Sequence, residues 1–357
     1  MGELTVRKRL ALEIARKIYN NQKELHPLRS LFWECTLRCN LQCKHCGSDC
    51  RQSSAVKDMP MNDFLQVVDS LVPHVNPREM NVILTGGEPL VRKDIEKLGL
   101  ELYKREIPWG VVTNGLLLDR KRLDSLLAAG IHSLTVSLDG FEEEHNWLRG
   151  KDESYRKAMD AIKMLVHERE IVWDVVTCIN RKNYPHLSEF RDHLYRLGVR
   201  NWRVFTIFPV GRAAEHAEFQ LSDKEFTGLM EFVKEVRKSK QMKLSYGCEG
   251  FLGRYEGEVR DGFYHCSAGV TAASVLADGA ISACPSIRSN FHQGNIYKDN
   301  FIDVWNQRFG KFRNREWARQ GVCADCDFFR YCEGNGMHMR GDNGELLFCH
   351  HRRLNSL

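Results

Sequence analysis

The chain has 357 residues, 43% of them hydrophobic, which is enough for two domains with substantial cores. Its net charge of +5 comes without any block of basic residues interleaved with aromatics, which argues against nucleic-acid binding. No run approaches the ~18 apolar residues of a membrane helix, and the charged N-terminus lacks a signal-peptide stretch, so a cytoplasmic protein with no membrane insertion is expected. Thirteen cysteines in such a chain point to metal or redox cofactors rather than disulfides.

Residues 4–22 have helical periodicity, with Leu10, Leu12, Ile14, Ala15 and Ile18 among basic positions. Residues 1–30 therefore read as an N-terminal basic amphipathic helix that caps a domain or offers a docking surface. Short apolar runs follow at 31–34, 81–85, 109–113, 133–138, 172–179 and 203–208. Amphipathic helical stretches lie between them near 61–72, 94–106, 119–129, 152–168 and 185–197. This alternation predicts an α/β fold with parallel strands and right-handed crossovers, its functional residues at the carboxyl ends of the strands. Six repeats fit a partial (β/α)6 barrel as well as an open sheet. Ser222 starts a further helix that runs to about Lys238. From Gly247 the composition changes: seven of the thirteen cysteines lie in the last 110 residues, and Asp278-Gly279 reads as a hairpin turn. The expected domains are a core over 31–240 and a small cysteine-rich domain of short strands and helices over 241–357.

Cys39, Cys43 and Cys46 form the run C-x3-C-x2-C directly after the first apolar run. Thiolates are soft donors suited to iron–sulfur clusters, and three of them leave one iron of a 4Fe–4S cube open. A zinc knuckle is the plainer alternative. The spacing resembles the cluster loop of the radical S-adenosylmethionine (SAM) superfamily, in which the open iron chelates SAM. The resemblance extends over roughly residues 30–215. It implies a radical SAM barrel in which Gly86, Gly87 and Glu88 meet the SAM amino group. Thr113 and Asn114 end the third strand, Ser137 and Asp139 lie along the ribose, Arg149 pairs with the SAM carboxylate and His45 stands beside adenine. Asn180 and the Phe208-Pro209 turn are weaker matches.

The C-terminal spacing, Cys266-x12-Gly279-x4-Cys284 followed by Cys323-x2-Cys326-x5-Cys332 and Cys349, resembles the SPASM domain of peptide- and protein-modifying radical SAM enzymes. That resemblance implies one or two auxiliary 4Fe–4S clusters. Cys323, Cys326, Cys332 and Cys349 would ligate the distal one; Cys266, Cys284 and Cys248 would hold the one nearer the active site. The family usually completes the nearer cluster with a cysteine four residues after Cys332. This chain has Gly336 there, which leaves an open iron, a ligand such as His338 or a substrate atom, or loss of the cluster. Cys35, Cys50 and Cys178 match no motif.

The resemblance implies reductive cleavage of SAM to a 5′-deoxyadenosyl radical, which abstracts hydrogen from a peptide or small protein. The outcome is a crosslink, dehydrogenation or epimerisation, as in maturases paired with small lipoprotein-like substrates. A flavodoxin or ferredoxin would donate electrons. The first 30 residues are too short for a winged-helix recognition domain, so leader recognition would need a separate partner protein, or the substrate binds the barrel directly. The alternatives are an anaerobic sulfatase-maturing type of formylglycine-generating enzyme, whose acidic base has no clear candidate here, and a non-catalytic zinc- or cluster-binding module.

Overall fold

The computed structural model describes residues 4–247 and 249–355. Seven strands run parallel, each beside the next in chain order: β1 (Ser30–Thr36), β2 (Asn81–Gly86), β3 (Trp109–Thr113), β4 (Ser133–Ser137), β5 (Val172–Ile179), β6 (Asn201–Thr206) and β7 (Lys243–Tyr246). Preceding and linking them are α1 (Val6–Leu25), α2 (Met61–Leu71), α3 (Ile95–Lys104), α4 (Arg120–Ala128), α5 (Glu142–Arg149), α6 (Ser154–Leu165), α7 (Leu187–Leu197) and α8 (Asp223–Ser239). The parallel order follows from a crossover between successive strands, mostly helical, and along β6 alternate residues Trp202, Val204 and Thr206 are the buried ones. Within that core Trp33 of β1 stacks on Phe64 of α2, with ring centroids 4.4 Å apart.

The barrel-like core is unclosed. The other edge of β1 pairs in parallel with β8 (Ala272–Val275), which continues antiparallel into β9 (Ala280–Ser282) and β10 (Gly294–Asn295). Thus β7 and β8 lie beyond residue 240, yet each extends the sheet built by the core strands. With four residues each, neither carries a pattern strong enough to read from sequence.

One helix, between the apolar run at 133–138 and the helical stretch near 152–168, has no counterpart in the sequence pattern. α5 opens with Glu142, Glu143 and Glu144, which favour the positive end of a helix, and closes at Gly150 with φ of 71°. It puts His145 and Arg149, one turn apart, on its buried face. A second array of short helices follows β10: α9 (Phe301–Gln307), α10 (Gly310–Arg313), α11 (Phe329–Cys332) and α12 (His350–Arg353). Among the described residues, no helix is long and apolar enough to cross a membrane.

Candidate active site

The cluster loop leaves the carboxyl end of β1 and is packed against the ends of β2, β3 and β6. Gly86 and Gly87 make that packing possible. A Cβ on Gly86 would stand 2.2 Å from the Thr36 carbonyl oxygen, and one on Gly87 2.2 Å from that of Arg38. Glu88, the next residue, is buried, and its carboxylate accepts from the Thr113 hydroxyl (2.8 Å) and the amides of Asn114 (2.7 Å) and Leu90 (3.0 Å). Burial raises its pKa despite these donors. Glu88 thus fixes the β3 turn, and Asn114 from that turn carries its Nδ2 to Asn40 (2.8 Å) and to 3.9 Å from Cys39 Sγ.

Arg149 and Asp139 form the charged centre. The Arg149 Nε donates to Asp139 Oδ2 at 2.6 Å, and its Nη1 lies 3.8 Å from Cys43 Sγ. Burial alone would raise the Asp139 carboxyl, but the guanidinium holds it below the usual carboxylate range. Its other oxygen accepts the Cys178 amide at 2.8 Å, so the end of β5 fixes the pair. Ser137 is buried at the end of β4, two residues before Asp139. His45 lies in the loop beside Cys46; burial depresses its pKa to about 4, and its Nδ1 has no partner.

Burial pushes the Cys39 thiol up to about 12 and raises Cys43, whereas Cys46, hydrogen-bonded with Cys50 and facing Arg212, is lowered to about 5. Arg212 was not singled out as a functional residue from sequence. Following the β6 end, it donates from Nε to the Cys43 carbonyl at 2.8 Å and from Nη1 to the Cys50 carbonyl at 3.1 Å. Its backbone amide reaches the Cys46 carbonyl at 3.1 Å. A three-thiol loop clamped by two arginines fits an anionic cluster, for which surrounding donors set orientation and charge.

A cavity of about 280 Å³ opens beside the loop, lined by His45 and Gly86, by the 205–208 segment after β6, and by Pro285, Ser286 and Arg288 from the C-terminal region. Arg288 donates from Nη2 to buried Glu34 of β1 at 2.8 Å. Neither residue carried a signal in the sequence beyond a charge next to a strand or turn. The structure supplies the pairing.

The C-terminal cysteines also gather. Cys323, Cys326, Cys332 and Cys349 surround a cavity of about 40 Å³. The Asn335 amide lies 3.2 Å from Cys332 Sγ, and Arg340 Nη2 3.7 Å from Cys323 Sγ. Burial pushes the Cys332 thiol up to about 12. A single zinc would draw its sulfurs to within about 4 Å of each other. Among the described residues no three His, Cys, Asp or Glu side chains close around one ion. Four thiols around this space fit a larger sulfur-ligated group. Cys266 and Cys284 are half-buried on the side nearer the barrel, while Cys248 lies outside the described residues. Cys35 is a fully buried core thiol, Cys178 is half-buried and lines the active-site cavity, and Cys50 supports the loop through Cys46.

Residues 33–194 match the Radical SAM superfamily, and residues 266–327 match the SPASM iron–sulfur cluster-binding domain. The chain is 24% identical over 336 residues to the AdoMet-dependent heme synthase of Oleidesulfovibrio alaskensis, covering 88% of this chain and 85% of that one. It is 28% identical over 312 residues to the mycofactocin maturase MftC of Mycolicibacterium smegmatis, covering 86% and 77%. In three dimensions it resembles Streptococcus suis SuiB bound to S-adenosylmethionine, with TM-score 0.69 and 18% identity over 94% of this chain and 79% of that one. The enzymes among these relatives set aside a non-catalytic binding module. With the cysteine loop inside the first matched region and Cys266, Cys284, Cys323 and Cys326 inside the second, the chain is a radical SAM enzyme carrying a SPASM domain, dependent on S-adenosylmethionine and 4Fe–4S clusters.

Proposed function

We propose that this enzyme oxidatively modifies a peptide or small protein, taking hydrogen from an unactivated C–H of a bound side chain. The product is a crosslink, a dehydrogenated residue or an epimer. When bound, the cluster of Cys39, Cys43 and Cys46 supplies the electron that splits S-adenosylmethionine into methionine and a 5′-deoxyadenosyl radical. The carrying observation is the shared cavity, whose walls come from the cluster loop on one side and from 285–288 of the SPASM region on the other. At about 280 Å³ it lies at the lower end of ligand pockets, which span roughly 300–1,000 Å³.

The chain's own groups bind, orient and exclude water. Arg149, fixed by Asp139, holds a cation next to Cys43 and presents a planar donor set to a carboxylate. Gly86 and Gly87 let backbone lie close to the loop. Phe205, Ile207 and Phe208 form the apolar wall that keeps water from the reacting carbon. Arg288, tied to Glu34 but at the cavity surface, would hold a substrate carboxylate or backbone carbonyl in place. An acidic flavodoxin or ferredoxin would deliver electrons, and a separate protein would present the substrate's leader. The names of MftC, PqqA peptide cyclase and SuiB bound to its precursor peptide support a peptide substrate. The heme synthase relatives favour a second reading, a heme-type macrocycle whose carboxylates meet Arg288.

The test is anaerobic turnover of the reconstituted, reduced enzyme with S-adenosylmethionine, reading deoxyadenosine and substrate mass. A precursor-type peptide should emerge two hydrogens lighter, or with solvent deuterium at unchanged composition. Cys43→Ala should abolish deoxyadenosine, and Arg288→Ala should raise KM for peptide more than it lowers kcat. Turnover of an iron porphyrin carrying propionates, with none of any peptide, would replace the first reading by the second.

A further inference from the structure

Helix α1 has two apolar faces, and the fold covers one of them. Leu12 and Tyr19 are buried on the inner face, against the SPASM region. On the opposite side Val6, Leu10, Ile14 and Ile18 recur every fourth residue, and Leu25 follows one heptad after Ile18. Each of the five is between 54% and 85% exposed. Single exposed apolar side chains are ordinary on a protein surface. Five in one row along a 20-residue helix form a strip about 30 Å long, which marks an interaction surface. Among the described residues, no other element carries more than two of the large exposed hydrophobic side chains.

The charges around the strip say what covers it. Arg7 and Lys17 fall within the outer face at helical spacing, Arg9 lies on its flank, and all three are exposed. Among the described residues the ion pairs of α1 use Lys8, Glu13, Arg16 and Lys23, which leaves those three cations unneutralised beside aliphatic side chains. Glu24 is the one exposed acid of the helix. An occupant must therefore be apolar where it meets the strip and anionic at its edges. A second copy of the chain would set two such basic faces against each other. Five partly exposed aliphatic side chains also offer only on the order of 300 Å² of apolar surface, against the roughly 800 Å² per partner of a stable interface. A protein partner would have to supply a groove for a convex helix. An anionic bilayer needs no groove: aliphatic side chains sink below its headgroups, and the long Arg and Lys stems reach back to the phosphates.

We propose that the outer face of α1 is a peripheral docking surface for an anionic lipid bilayer, on which the enzyme lies without crossing it. One short strip with three cations gives reversible attachment that weakens as salt rises. Because the inner face of α1 is fixed to the SPASM region, the docked helix holds the whole enzyme in one orientation on the surface. The inference concerns attachment and stands or falls separately from the peptide reading.

The experiment is co-sedimentation of the reconstituted holoenzyme with vesicles of phosphatidylcholine and phosphatidylglycerol in equal parts, beside vesicles of phosphatidylcholine alone. Wild type should pellet with the anionic vesicles at low salt, much less with the neutral ones, and less again at about 1 M salt, where the screening length is ~3 Å. The double variant Leu10→Gln/Ile14→Gln should lower the partition coefficient about tenfold or more. Its iron content and circular dichroism should match wild type, since both side chains are exposed. Ile18→Trp should raise the partition coefficient, because an indole favours the headgroup level; this gain keeps the test valid should the double variant fail to fold. Wild type that stays in solution with anionic vesicles overturns the proposal, as does binding that Leu10→Gln/Ile14→Gln leaves unchanged. A dimer seen by sedimentation velocity and dissolved by that double variant, without vesicle binding, would assign the face to a second copy. Binding of an acidic amphipathic model helix, again without vesicle binding, would assign it to a protein partner.

Discussion

His145 accepts the Asp139 amide on Nδ1 at 3.0 Å, while its Nε2 is buried without a partner. Burial is the main cause that depresses its pKa to about 3; Asp139 opposes it, and Arg149 and His45 reinforce it. An unfolded histidine titrates near 6.5. Because the folded value is lower, the unfolded chain binds the extra proton. Stability is thus fully present above about pH 6.5 and declines as pH falls toward 3, by at most about 1.4 kcal/mol per unit. His145→Asn keeps an acceptor for the Asp139 amide but removes the titration. The urea midpoint of wild type should fall more steeply between pH 6.5 and 4.5 than that of the variant. Identical slopes would place the acid sensitivity in other groups.

At the scale of elements, α1 is bound by its inner face to the SPASM region. Leu12 packs with Phe251 and Tyr264, and the Tyr19 hydroxyl donates to the Cys266 carbonyl at 2.6 Å. Lys8 pairs with Glu258, Lys23 with Glu333, and Arg330 with Glu13. The helix therefore braces the backbone of Cys266, which we propose as a cluster ligand. Removing residues 1–25 should lower iron content by about four per chain, one cube, while the loop of Cys39, Cys43 and Cys46 still supports uncoupled S-adenosylmethionine cleavage. Unchanged iron after truncation would deny α1 that role; Tyr19→Phe isolates the single bond, worth about 1–3 kcal/mol if the buried carbonyl is left unpaired.

The same elements show why some features were legible in the sequence. Among the core strands, β2, β3 and β4 end in Gly86-Gly87, Thr113-Asn114 and Ser137-Leu138-Asp139, and each polar turn interrupts an apolar run sharply. Cysteine spacing is local, so both cysteine sets could be read directly. α5 was hidden because its three leading glutamates and internal His145 and Asn146 blur the apolar period. Arg212, Arg288 and Arg315 are single charges in polar segments, which sequence alone cannot tell from solvated ones. Arg212 and Arg288 acquire their roles from partners more than a hundred residues away, Cys43 and Glu34, and Arg315 from burial, with its Nη2 donating to the Asn335 carbonyl.

On the scale of the whole molecule, the radical SAM core and the SPASM region share one sheet. β1 has β2 on one edge and β8 on the other, so Leu31 and Trp33, both fully buried, depend on strands nearly two hundred residues apart. Glu34 of the same strand also accepts the Ala277 amide at 3.3 Å beside its bond from Arg288. At the far end, Arg353 of α12 donates to Asp223 at the start of α8 at 2.9 Å. A core cut at residue 240 would lose β7 beside β6 and β8 beside β1, uncovering both flanks of the parallel sheet at once. Stacked apolar residues and open strand edges together favour aggregation over folding. The 1–240 fragment should therefore lack a cooperative urea transition. The full chain should unfold with coincident far-UV circular dichroism and tryptophan fluorescence, since Trp33, Trp109 and Trp202 all report on the shared sheet. Two separated transitions, or a soluble fragment with a cooperative one, would show that the core is stable without its SPASM strands. The active-site cavity, walled by both regions, would then form by docking of independent units rather than by folding of one.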